Sequence, residues 1–415
     1  MTPVALGIDV GTTGIRAAAL DHAGDLVAAG HAQLSETGAD LRDPRGWARA
    51  LELSLGRLAD QMSLARVGAV CVDGTSGTVI GLDAKGQPVG MALMYNDVVE
   101  DPDIRDRVMA CAPVTSAAHS ASSALARALY LQTRAGVAAI CHQADWIAGL
   151  LSTDKLPSDE SNALKTGYDP VLRQWPDWIA GTGLDRDMLP DVVAVGSQSG
   201  TTSGALGLPQ GVPIVAGLTD GCASFLATGA AAIGDGVTAL GTTLTIKLLS
   251  PAPIFAPKHG IYSHRIGDLW LVGGASNTGG AVLLQHFTPD EIVGLSNQID
   301  PDCDSGLDYY PLPRPGERFP INDPEQAPRL DPRPADRALF LHGLLEGIAQ
   351  VEELGYRRLA ELGAPQVSAL YTVGGGAQNT VWTQMRARLI GVPTKIPLST
   401  QASEGAARLA LAHLR

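Results

Sequence analysis

GIDVGTTGIR, residues 7–16, decides the fold. The stretch lies between runs of small and β-branched residues, so 4–10 reads as a buried strand, 15–20 as its partner and DHAGD at 21–25 as the next turn. A tight turn of Gly11, Thr12, Thr13 and Gly14 between two strands exposes consecutive backbone N–H groups and two hydroxyls, the donors that a phosphate chain needs. No GxxxxGK[ST] loop and no GxGxxG opening a helix follows a strand, and Lys165-Thr166 lacks the preceding glycine. Asp9, near the end of the first strand, can hold Mg²⁺ through water or touch a substrate, or simply cap the hairpin.

The pattern recurs. DGVTAL at 235–240 runs into GTTLTIK at 241–247, so Gly241, Thr242 and Thr243 follow a strand-like run as Gly11, Thr12 and Thr13 do. A duplicated strand, GTT turn and strand points to two similar halves facing a shared ligand. The strand context carries this inference, since three small residues recur easily by chance.

A chain of 415 residues is too long for one core and is expected to form two α/β domains of roughly 200 residues, 1–220 and 221–415. Its 45% apolar and 18% charged composition suits globular domains. The net charge of -13, from 30 basic and 43 acidic residues, argues against nucleic acid or anionic membranes as main partners. An anionic ligand must then be met by local donors. The five cysteines are widely spaced and form no CxxC pair, which indicates buried free thiols rather than a disulfide framework or zinc site. With no HExxH, no basic-plus-apolar leader and no apolar run of about 18 residues, the expectation is a cytoplasmic enzyme, monomer or homodimer.

Along the first half, 28–33 reads as a third strand, 44–64 as a helix and 67–72 as a buried strand ending in Asp73-Gly74-Thr75-Ser76-Gly77. Ligands collect at the carboxyl ends of strands in open α/β sheets, so Asp73, Thr75 and Ser76 are candidate substrate contacts, although the same residues suit a turn before the strand at 79–82. Residues 83–88 read as a hairpin closure, 120–151 as a helical region and 153–207 as a decorated connection with short helices near Trp175 and Met188. A strand at 212–217 opens through Asp220 into a helix of small residues at 222–232. Asp220 there can sit beside bound phosphate or serve as a helix cap.

In the second half the reading is a strand at 269–272, a proline-rich surface loop at 301–334, and a long helix through Leu341, Leu345 and Ile348 stopped by Gly363. A strand at 370–373 then delivers Gly374-Gly375-Gly376-Ala377-Gln378-Asn379 before a helix with Trp382. Glycines between strand and helix leave room for a flat ring or ribose, or make a flexible connector.

Taken together, these motifs resemble the FGGY carbohydrate kinases, a family within the actin and Hsp70 ATPase superfamily. GIDVGTTGIR resembles the family's first phosphate motif, GLTDGCAS its catalytic aspartate motif, LGTTLTIK its second phosphate motif and YTVGGGAQN its adenosine motif. YYPLPRPGERFP with RALFLHGLLEGIA resembles its C-terminal signature, and DESNALKTGYD its N-terminal domain pattern. Nearly the whole chain is covered, and in length it resembles the small plant and cyanobacterial group. The resemblance implies two ribonuclease-H-like domains around a central cleft, with ATP bound there and Mg²⁺ bridging its phosphates.

It further implies that Asp220 takes a proton from the sugar hydroxyl that attacks the γ-phosphate. Gly11, Thr12, Thr13, Gly241, Thr242 and Thr243 would hold phosphates, Gly375, Gly376 and Asn379 adenosine, and Trp382 an adenine stack. Where many members carry a tryptophan, an aspartate and an arginine spaced by single residues, this chain has Tyr95, Asp97 and Val99, so Asp97 remains as a sugar contact and a charged one is missing. VDGTSGTVIGLD is similar to the ribulokinase-type Asp-x-Thr pattern, which puts D-ribulose first, D-xylulose or a polyol next, and a non-catalytic sugar or nucleotide sensor as a different class.

Overall fold

Small and branched apolar side chains let β1 (Val4–Val10), β2 (Gly14–Leu20) and β3 (Leu26–Gln33) form an antiparallel meander, with Ile8 opposite Ala17 and Val10 opposite Ile15. In the computed structural model, residues 2–120 and 123–414 are described. Helix α1 (Pro44–Ala59) starts on the Asp43 side chain, which accepts from the Arg45 N–H, and buries Trp47, Leu51, Leu55 and Leu58. It ends at Ala59 rather than at the expected residue 64. β4 (Val67–Gly74) pairs parallel with β1.

Next come β5 (Val79–Leu82), α2 (Pro102–Cys111), α3 (Ala124–Gln132), β6 (Ala139–His142) and α4 (Gln143–Gly149). They are followed by β7 (Ser158–Asp159), α5 (Trp178–Gly181), β8 (Val192–Val193) and β9 (Gln198–Ser203). β10 (Gln210–Thr219) then pairs parallel with β4 and opens directly into α6 (Asp220–Ala227). The sheet order is β3-β2-β1-β4-β10-β9.

Two expectations need correction here. Residues 120–151 are not one helical region, because Gly136 at φ +87° lies beyond α3 and the chain re-enters as β6, antiparallel to β5; residues 121 and 122 of that span lie outside the described residues. The helix expected at 222–232 begins at Asp220 and ends at Ala227.

β11 (Asp235–Leu240) and β12 (Leu244–Ser250) repeat the strand, GTT turn and strand unit. β13 (Tyr262–Ile266), β14 (Leu269–Ala275), α7 (Gly280–Leu284) and α8 (Pro289–Ser296) precede the proline-rich span, in which no helix or strand is formed among the described residues. The long helix α9 (Arg337–Glu361) leads to β15 (Ala369–Val373), α10 (Thr380–Ile390), β16 (Thr394–Lys395) and α11 (Ala402–Leu411). The second sheet runs β13-β14-β12-β11-β15-β16. Its antiparallel β14-β12-β11 continues into parallel β15 and β16 as β3-β2-β1 continues into parallel β4 and β10. This is the ribonuclease-H-like arrangement, present twice.

The chain divides into two units. One runs to Ala227 and takes in His264–Gly267 and everything from Gln401 onward, and the other is Thr228–Ser263 with Asp268–Thr400. This departs from 1–220 and 221–415, because α11 returns to the first unit. Its small-residue face permits that: a Cβ at Gly405 would lie 1.8 Å from the Ala223 carbonyl oxygen, and one at Gly7 would lie 1.9 Å from that of Ser403. Backbone packs on backbone at both points, and no larger residue fits. Among the described residues no helix is long and apolar enough to cross a membrane.

Candidate active site

In the first unit, three neighbouring parallel strands bring three carboxylates together. Register pairs Asp9 on β1 with Asp73 on β4, and Gly74 with Thr219, the residue before Asp220. The acids thus sit at the carboxyl ends of β1, β4 and β10, where open α/β sheets bind ligands. Asp9 is 6% and Asp73 0% exposed. Burial, and then the Asp220 charge, raise Asp9 above the ordinary carboxylate range, while Asp73 and Arg16 oppose that shift. Burial followed by the charges of Asp9 and Asp220 pushes Asp73 well above it. Such a group relaxes by sharing protons or by meeting a cation. Arg16 Nη1 stands 3.4 Å from Asp9 Oδ2.

The strongest mark of a ligand site is a set of buried polar atoms without partners. Both oxygens of Asp73, Oγ of Ser76 and Nε2 of Gln143 are buried and lack any ordinary hydrogen bond. Buried polar groups are normally satisfied, so several orphans around one strand end call for an explanation. Thr75 is placed otherwise than as a direct contact. Its N–H donates to Gln143 Oε1 at 3.0 Å, and its hydroxyl donates to the same oxygen at 2.6 Å and lies 2.6 Å from Thr78 Oγ1. Thr75 therefore orients the Gln143 amide, and the donor left over belongs to Gln143, a residue that sequence reasoning missed. Motif reading had no signal for it, because it opens a helix far along the chain.

Asp97 is also engaged, accepting from Arg42 Nη2 at 2.6 Å and from the Met94 N–H at 2.8 Å, so it shapes the 94–97 loop. Thr12 and Thr13 are exposed on a turn closed by the Gly11 N–H to Gly14 carbonyl bond at 3.0 Å. Asp220 is the first residue of α6 rather than its cap, and its Oδ1 accepts the Gly221 N–H at 2.7 Å.

Beneath these residues, Asp159 on β7 accepts from the N–H groups of Ser161 and Asn162 and from Asn162 Nδ2, at 2.9, 2.8 and 2.7 Å. Burial, then the Asp145 charge, nevertheless push it up to about 7 from 3.8. Between about pH 4 and 7 the folded chain therefore keeps a proton that the unfolded chain has released, and the contribution of Asp159 to stability falls as pH rises. Asp159→Asn is expected to flatten that slope relative to wild type in denaturant titrations across this window. Parallel slopes for the two proteins would contradict the assignment.

In the second unit a cavity of about 600 Å³ opens beside the second GTT turn, and Gly241, Thr242, Gly375, Gly376, Asn379 and Trp382 all line it. Thr243 is not among the lining residues, and its carbonyl accepts the Gly241 N–H at 3.2 Å. Asn379 is spent on structure, capping α10 through the Trp382 N–H at 3.0 Å and donating to Ser296 Oγ at 2.8 Å. Trp382 is 2% exposed with its indole N–H bound to the Leu345 carbonyl at 2.9 Å, so it forms the floor of the cavity and is not an open stacking face. The opposite wall went unread: Ile292, Val293 and Asn297 of α8 and its exit, and Leu284 of α7. Val293 and Leu284 are 67% and 60% exposed, an apolar rim that no core contact explains. The helical spacing from Pro289 and the Thr288–Glu291 capping box were the legible signals.

The glycines differ in what they do. A Cβ at Gly376 would stand 2.7 Å from both Leu240 Cβ and Trp382 Cζ3, whereas one at Gly375 meets nothing within 4 Å. On the expectation that this cavity takes adenosine, Gly375→Val should fold normally while weakening ADP binding about tenfold or more, since the side chain would fill that space. Calorimetric titration and a melting curve on one preparation check this, and unchanged ADP affinity would remove Gly375 from the nucleotide site.

Among the described residues, no group of three or more His, Cys, Asp or Glu is arranged to hold a metal by itself. Residues 236–414 match the FGGY family of carbohydrate kinases, C-terminal domain. The xylulose kinase of Streptomyces coelicolor is 29% identical over 428 residues, spanning 95% of this chain and 84% of its own. That of Escherichia coli is 25% identical over 423 residues, spanning 93% and 84%. Among solved structures, the xylulose kinase of Bifidobacterium adolescentis matches with a TM-score of 0.82 at 20% identity, covering 99% of this chain and 92% of the other, a likeness of fold.

Proposed function

We propose that this chain, whose residues 236–414 match the C-terminal domain of the FGGY carbohydrate kinases, is an ATP-dependent phosphotransferase of that kind and that its acceptor is a pentulose, D-xylulose first and D-ribulose second. The observation that carries an acceptor site in the first unit is the group of unsatisfied atoms on Asp73, Ser76 and Gln143 beside Asp9 and Asp220. A polyhydroxylated ligand offers both donors and acceptors to such a set. The order of sugars rests on two supports. The two curated relatives are named xylulose kinases, and the Asp-x-Thr pattern that favoured D-ribulose loses force because the Thr75 hydroxyl is turned to Gln143.

Phosphoryl transfer asks the protein for positioning, charge neutralisation and a base at the nucleophile. Asp220 accepts the proton of the attacking hydroxyl, held at the end of β10 by the start of α6. Gln143 donates its Nε2–H to an acceptor-sugar oxygen, oriented by Thr75. The adenosine half of ATP takes the second-unit cavity against Gly375, Gly376 and the apolar rim, and the adjoining Gly241 and Thr242 offer N–H and hydroxyl donors to its phosphates.

Mg²⁺ fits the donor set: both Asp73 oxygens are buried without a hydrogen-bond partner and Asp9 is raised by burial and then by the Asp220 charge, so a cation would relieve both. Mg²⁺ needs only one or two carboxylates besides water and phosphate oxygens, so the lack of an all-protein cage is no obstacle. Asp9 and Asp73 would hold it, and it would neutralise phosphate charge. Coupled ADP release across ketoses and polyols tests the acceptor. D-xylulose is expected to give the highest kcat/KM, and a hexose or glycerol exceeding both pentuloses would overturn the assignment.

A further inference from the structure

The segment DESNALKTGYD contributes no residue to the chemistry described so far, yet its serine touches the strand end that carries Asp220. Ser161 is 0% exposed. Its Oγ accepts the Thr219 N–H at 3.3 Å and lies 3.4 Å from Thr219 Oγ1. The same hydroxyl lies 3.8 Å from Cys222 Sγ and 3.1 Å from His264 Nδ1. Thr219 Oγ1 donates to Cys222 Sγ at 3.4 Å, so the residues on both sides of the Asp220–Gly221 step are tied to one hydroxyl. Ser161 is itself fixed from below, its N–H held by Asp159 Oδ1 at 2.9 Å.

At the end of a strand the ladder stops supplying partners, and the first turn of the following helix leaves its own N–H groups unsatisfied. The torsions at such an elbow are then set by whatever side chain reaches in. Here that side chain is short, fully buried and held at both ends, which leaves it little freedom.

We infer that Ser161 is a positioning residue for the reaction, fixing the Thr219–Asp220 elbow so that the Asp220 carboxylate meets the acceptor hydroxyl. The inference rests on the reading of Asp220 as the base. A side chain that acts only by aiming the base affects turnover and not ligand affinity, and its effect disappears when the base is gone. A misplacement of about 1 Å can cost about 10²-fold.

The test is a double-mutant cycle on the full chain with Ser161→Ala, Asp220→Asn and the pair, measuring kcat, both KM values and melting temperature with ATP and D-xylulose. Ser161→Ala is expected to lower kcat by about tenfold to 10²-fold with both KM values within about twofold of wild type. In the Asp220→Asn background it is expected to have no further effect. Multiplying losses, a rise in KM at constant kcat, or wild-type turnover in Ser161→Ala would each overturn the inference. If Ser161→Ala does not fold, Ser161→Gly, which also removes the hydroxyl, passes through the same cycle under the same criteria. Near-normal turnover in Asp220→Asn alone would instead overturn the base assignment, so the two failures are told apart.

Discussion

Asp220→Asn is expected to lose about 10² to 10⁴-fold in kcat while keeping nucleotide affinity and melting temperature close to wild type. The structure makes this substitution informative. The Asp220 carboxylate accepts the Gly221 N–H at 2.7 Å, and the Asn carbonyl oxygen can accept it equally. The helix start is therefore preserved and only the basic group is removed. If the acid served only to begin α6, Asn would be a good replacement and turnover would survive. Unchanged kcat would end the assignment of Asp220 as base.

The second large effect is on stability. Arg386 of α10 and Glu352 of α9 are both 0% exposed and form a two-pronged pair, Nε to Oε2 at 2.5 Å and Nη2 to Oε1 at 2.7 Å. Nη1 reaches Thr372 Oγ1 on β15 at 2.8 Å, and Thr238 Oγ1 on β11 donates to Glu352 Oε1 at 2.6 Å. Two helices and two strands of the second unit thus share one buried network. Arg386→Met leaves a carboxylate in the core with one hydroxyl for company and is expected to cost about 3 to 5 kcal/mol. Urea unfolding followed by a probe of the second unit measures it. Pairing Arg386→Met with Glu352→Leu is expected to recover most of the loss, because the penalty comes from the stranded charge. A loss under about 1 kcal/mol in the single variant would show the pair to be dispensable.

What could be read from the chain follows from how local each signal is. Both GTT turns and their flanking strands were legible because period and turn chemistry sit within a dozen residues, and Val4–Val10 and Ala369–Val373 appear where expected or within a residue of it. β6 was hidden because Ala139–His142 is a four-residue strand whose apolar neighbours continue into α4 without a break in composition. The return of α11 to the first unit was invisible for a different reason: it depends on Gly7, Ala223 and Gly405 allowing backbone contact across distant parts of the chain. For the site, Asp9, Asp73 and Asp220 could be named from strand ends alone. Gln143 could not, because an unpartnered amide is defined only once Thr75 has claimed its oxygen. The motif residues Asn379 and Trp382 were found, but their side chains are used to build the cavity wall, and the apolar rim of Leu284 and Val293 faces the space they enclose.

The account turns on a transfer reaction with a pentulose as acceptor, and the direct measurement is simultaneous quantification of ADP and phosphorylated sugar from purified protein with ATP, Mg²⁺ and D-xylulose. One sugar phosphate is expected for each ADP formed, with little ADP in the absence of sugar and both products lost together in Asp220→Asn. Tight binding of sugar and nucleotide with no product formed, across D-xylulose, D-ribulose and the polyols, would contradict the account and make the chain a sensor.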